Sequence, residues 1–117
     1  MAATFNAPVP LLIVRATVST TNPGTFTDLV TTRGLQVIDV VGNKGLAAGG
    51  AGDTIRVGNS ASNITPAISL NVAANVSFRT TAVDTSVSTI ASGGSIRVTV
   101  GFNTDNGCWA EIYCLPA

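Results

Sequence analysis

Gly52-Asp53-Thr54-Ile55-Arg56-Val57 and Gly93-Gly94-Ser95-Ile96-Arg97-Val98 are the stretches on which the fold turns. Side chains alternate sides along an extended chain, so in each copy Ile and Val share one face while Thr or Ser and Arg share the other. That is the pattern of a half-buried strand. Each copy follows a glycine-rich approach, residues 46–52 and 91–94, and glycine suits tight turns and positive φ. The echo is too short for one unit of a repeat array and marks two strands in similar sheet positions.

The rest of the chain reads in the same way, with Thr, Val, Ile and Ser between punctuating glycines and no sustained helical period. Residues 10–20 form a first strand, expected to begin fully buried and end half-exposed. Residues 34–41 form another, with Leu35, Val37 and Asp39 on one side and Gln36, Ile38 and Val40 on the other. Residues 107–115 form the last, with Cys108, Ala110, Ile112 and Cys114 facing the core. Asn106-Gly107 is a hairpin signal, which predicts that this strand pairs with Val98-Thr99-Val100. Phe78 lies on a short strand. Residues 63–68 and 83–90 resemble single helical turns, capped by Asn63 or Thr65 and by Asp84. The expected fold is all-β, a single-domain antiparallel β-sandwich or jelly-roll-like subunit with one or two short helical turns.

The chain has 117 residues, suited to one domain over 1–117 with residues 1–9 as an extended N-terminal arm. Charged residues make up only 10% of it against a usual quarter, and six basic and six acidic side chains cancel. Self-repulsion is therefore weak, and association with copies or partners is favoured. The basic residues are scattered singly, which excludes a phosphate-binding patch and nucleic acid as partner. The apolar run at residues 7–14 is broken by Pro8 and Pro10 and is too short to cross a membrane. No Lys or Arg precedes it, so no secretory signal is expected. Cys108 and Cys114 stand too far apart on a straight strand to form a disulfide and read as small buried hydrophobes in a reducing compartment; a bridge across a bend or between subunits is the alternative.

No histidine is present, which removes the commonest general base, and Lys44 has no Ser-x-x-Lys partner. Only Glu111 and five separated aspartates could serve as paired carboxylates. The chain is expected not to be an enzyme, and to take no cofactor and no metal. Asn103, Asp105 and Asn106 resemble part of a calcium loop but suit a turn better. The glycines at 45, 49, 50 and 52 lack the Lys and helix of a phosphate loop. The sequons at Asn63 and Asn75 carry no weight without secretion. Five residues remain as interface candidates. Trp109, Glu111 and Tyr113 form a row opposite Ala110 and Ile112, suited to a protein contact, a stacked sugar ring or burial. Arg56 and Arg97, aligned by the echo, could pair with carboxylates of a neighbouring subunit.

Leu35-Gln36-Val37-Ile38-Asp39-Val40-Val41, the two G-(D/G)-(T/S)-I-R-V segments, Asn63-Ile64-Thr65, Asp84 and the short hydrophobic last strand together resemble small tailed-bacteriophage virion proteins, in particular head decoration proteins. The resemblance covers about Leu35 to the C-terminus. It implies a β-sandwich or jelly-roll-like subunit, a homotrimer on the capsid exterior of the virion, made in the host cytoplasm and cementing the major capsid protein. The alternatives are a carbohydrate- or receptor-binding module of a tail or surface fibre, and a tail-tube or neck component.

Overall fold

The computed structural model describes residues 11–18, 26–45, 48–101 and 108–117. These form β1 (Leu12–Val18), β2 (Phe26–Val30), β3 (Leu35–Asn43), β4 (Thr54–Gly58), β5 (Ile68–Ser69), β6 (Ser77–Arg79), β7 (Thr89–Ile90), β8 (Ser95–Gly101) and β9 (Cys108–Pro116). One sheet runs β1-β9-β3-β6, with β7 also on β3, and the other runs β2-β8-β4-β5. Every pairing is antiparallel. The result is a β-sandwich. Among the described residues no helix is long and apolar enough to cross a membrane.

The pairings nest: β1 with β9, β2 with β8, β3 with β6 and β7, and β4 with β5. This order overturns the expected C-terminal hairpin, because β8 and β9 lie in different sheets. Asn106-Gly107 lies outside the described residues, as do Asn103, Asp105 and the arm at 1–9. Both strands carry an alternating buried row, Ile96, Val98 and Val100 on β8 and Cys108, Ala110, Ile112 and Cys114 on β9. Facing each other across the sandwich, the rows bury against one another; side by side they would need a separate cover.

The echo strands β4 and β8 are neighbours, with Val57 opposite Val98 and Ile55 opposite Val100. Their Ile and Val side chains are buried while Arg56 is exposed. Gly52 and Gly93 have φ of 89° and 81°, so the approaches to both strands use a backbone conformation that a Cβ disfavours. Of the loop at 46–52, Gly49 donates to the Val72 carbonyl at 2.9 Å and packs against Leu70, so this part is pinned.

Two strands depart from the alternation. β1 does not begin buried: it is the edge of its sheet, Leu11 and Ile13 are 49% and 54% exposed, and Leu12, Val14 and Ala16 face inward. On β3 the register shifts between Val37, opposite Cys114, and Asp39, opposite Tyr113. Ile38 is the extra residue of a β-bulge. The bulge turns Val40 into the core and Asp39 outward, the reverse of their expected sides.

Neither expected helical turn is a helix. The Ile64 and Thr65 N–H groups both donate to the Val57 carbonyl, and Thr65 Oγ1 accepts from Val57 N at 3.1 Å, so this loop extends β4. Asp84 does cap a single turn: its Oδ1 accepts from Ser86 N at 3.0 Å and its carbonyl from Val87 N at 3.2 Å. Val83 and Val87 pack on the core, and Ile90 is buried.

Candidate functional site

Because β9 lies between β1 and β3, its outward residues sit in the middle of a sheet face. Trp109 lies between Thr17 and Asn43, Glu111 between Arg15 and Val41, and Tyr113 between Ile13 and Asp39. All three are half-buried and none belongs to the core. The Arg15 guanidinium stands 5.3 Å from the Trp109 ring centroid, within cation–π range. Tyr113 Oη donates to Glu111 Oε2 over a long 3.4 Å. A cleft of about 230 Å³ beside Trp109 is lined by Val41, Gly42, Asn43, Ser77 and Glu111. A second, of about 390 Å³, is floored by an Asp39–Arg79 pair with 2.7 Å between Oδ2 and Nη2, made possible by the bulge that turns Asp39 outward.

Arg56 and Arg97 lie on the outer face of the other sheet, so the five candidates divide between two surfaces. Arg97 does not wait for a neighbouring subunit. Asp28 stands directly opposite on β2, and its two carboxylate oxygens accept from Arg97 Nε at 2.8 Å and Nη2 at 2.9 Å. The Arg97 guanidinium also lies 3.8 Å from the Phe26 ring centroid. The hydrogen bonds from Arg97 hold the Asp28 carboxyl below its usual range. Arg56 is exposed opposite Thr99, with no ion pair among the described residues.

Lys44, which reads in the sequence as one more scattered surface charge, is wholly buried, as is Asp53. Asp53 Oδ2 accepts from Gly50 N at 2.8 Å, and the Lys44 stem lies against Gly49. Nothing in the residue pattern marks Lys44 as buried; it follows the end of β3 and precedes Gly45, whose φ is 84°. Cys108 and Cys114 are free and buried on the inner face of one strand. Burial pushes both thiols up to about 11, with Lys44 partly offsetting the effect at Cys108. They stay protonated at neutral pH. Among the described residues no three His, Cys, Asp or Glu side chains cluster as metal ligands would.

The architecture is that of an all-β sandwich whose outer sheet faces carry aromatic and charged side chains. Among solved structures it is similar to a chain in the capsid asymmetric unit of cyanophage Pam1, with a TM-score of 0.51 and 18% identity over 97% of this chain and 94% of that one. At that identity the likeness is one of fold. By sequence, no protein family and no curated protein matches.

Proposed function

We propose that this chain is a structural protein of a phage capsid, of the decoration type, which sits on the exterior of the shell and cements neighbouring major capsid subunits. The observation that carries this reading is the winding. Strands nested as β1–β9, β2–β8, β3–β6/β7 and β4–β5 over two sheets support a jelly-roll winding, an architecture that recurs in viral capsid domains. The likeness to the Pam1 capsid chain spans nearly all of both chains, so it concerns a subunit of about this size rather than one lobe of a large shell protein. The role is non-catalytic, and Trp109, Tyr113 and Arg56 are the side chains offered to the shell.

Purified protein mixed with assembled shells lacking their accessory subunits should co-sediment at saturable stoichiometry and appear on the outer surface by electron cryomicroscopy. Failure to associate with any shell overturns the proposal. The cleft beside Trp109, where an aromatic ring meets Glu111 and Ser77, favours carbohydrate binding as the second reading. Glycan binding that is lost in Trp109→Ala, with no shell association, would select it.

A further inference from the structure

Among the described residues one flank of the sandwich is left open. β1 ends one sheet and β2 ends the other, and among the described residues neither has a strand on its free side. Leu12 and Val14 of β1 and Leu29 and Val30 of β2 line a cleft of about 250 Å³ between them, together with Leu35 and Ile96. Among the described residues, four of the six large exposed hydrophobic side chains are here: Leu11 at 49%, Ile13 at 54%, Phe26 at 51% and Val30 at 71%. An unpaired edge with apolar side chains is a template for another strand.

The backbone phase of each edge follows from bonds deeper in the sheets. Ala117 N donates to the Gly34 carbonyl at the β3 side of β9, so by alternation Trp109, Glu111 and Tyr113 bond toward β3 and Cys108, Ala110, Ile112 and Cys114 toward β1. Their partners Leu12, Val14, Ala16 and Val18 are thus used, and Ile13, Arg15 and Thr17 turn their N–H and C=O groups to the free edge. On β2, Thr31 N donates to Gly94 across from β8, so Leu29 and Thr27 bond inward and Phe26, Asp28 and Val30 present theirs outward.

The geometry points to these two edges joining between copies of this chain. We propose that β1 of one copy pairs antiparallel with β2 of the next, with Ile13 opposite Val30, Val14 opposite Leu29, Arg15 opposite Asp28 and Thr17 opposite Phe26. In this register each outward-bonding residue meets an outward-bonding residue, exposed Ile13 meets exposed Val30, half-buried Val14 meets half-buried Leu29, Phe26 lies over Thr17, and the Arg15 guanidinium meets the Asp28 carboxylate, which Arg97 already holds from the other side. The heights also match. The shared cleft sets the start of β1 beside the end of β2 in one molecule, so the strands run in opposite directions and their levels agree when copies turn about an axis parallel to the strands. Two copies close such a contact with both sheets carried straight through, and three close it with the sheets bent at each junction. The contact needs no shell and stands apart from the capsid reading.

Residues in a hydrogen-bonded antiparallel pair lie about 5.5 Å apart at Cα, within disulfide reach. A chain carrying Ile13→Cys mixed with one carrying Val30→Cys should therefore oxidise to a linked dimer, while Ile13→Cys with Phe26→Cys, out of register, should not. The buried native thiols stay out of the reaction. In solution, the wild type should sediment as two or three copies. Ile13→Glu and Val30→Lys, both at exposed positions, should each shift it to single-chain mass, and the double variant should restore the assembly. A wild type that remains single at high micromolar concentration overturns the contact. So does an assembly indifferent to both substitutions, or cross-linking no faster in register than out of it. Shell binding measured on the same variants separates the two proposals.

Discussion

Asp28 and Arg97 face each other across two strands with side chains 31% and 28% exposed, so the pair is partly shielded and bidentate but still at the surface. A carboxyl whose folded pKa is depressed contributes stability that is present above its unfolded pKa and lost as pH falls through the folded value. For Asp28 the unfolded value is near 3.8, so the loss falls below about pH 4. Asp28→Asn should therefore lower stability at neutral pH, leave it nearly unchanged well below pH 3, and flatten the acid limb between them. Denaturant titrations across pH check this, and a parallel downward shift at every pH would show that the carboxylate charge is irrelevant. The same residue shows how much of the setting of Arg97 is hidden in the sequence. The echo with Arg56 gives both arginines the same face, but only the strand pairing reveals that one of them has an aspartate across the ladder.

Within the elements, Gly42 on β3 is closely hemmed in: an added Cβ would overlap the Phe78 ring on β6 and the Trp109 carbonyl on β9. Its φ is not in the left-handed region, so the constraint is steric. Forcing a methyl into a filled site costs about 1–3 kcal/mol, so Gly42→Ala should lower the unfolding free energy by that amount; no measurable change would mean that β6 is free to move away. Strand identity was legible wherever alternation was clean. β4, β8 and β9 sort their residues as their sequences imply, and Trp109, Glu111 and Tyr113 reach the outer face for that reason. Alternation failed at Ile38, because a bulge inserts a residue without any glycine to announce it, and at β1, because edge position depends on partners distant in sequence. The C-terminal hairpin failed for a related cause. A turn signal does not say which strands pair, and here β8 lies between β2 and β4 while β9 lies between β1 and β3. Lys44 was illegible because the loop that covers it is placed by Leu70 and Val72, which only the fold brings near.

At the scale of the whole molecule, six positive and six negative charges leave no net field to oppose or steer assembly. In the proposed contact between copies, attraction must then come from apolar surface and backbone pairing, with Arg15 and Asp28 setting register rather than strength. Exposed ion pairs are screened once the Debye length shrinks to about 3 Å near 1 M salt, whereas burial of Ile13, Val30 and Phe26 is not, and sulfate strengthens it. The assembly should consequently persist in concentrated sodium chloride and tighten in ammonium sulfate, with sedimentation showing an unchanged or higher mass in both. Dissociation that grows steeply with sodium chloride would assign the binding energy to charge and contradict an apolar edge contact. The comparison is informative because the proposed contact holds so few ionic groups that, across it, salt can act on little besides Arg15 and Asp28.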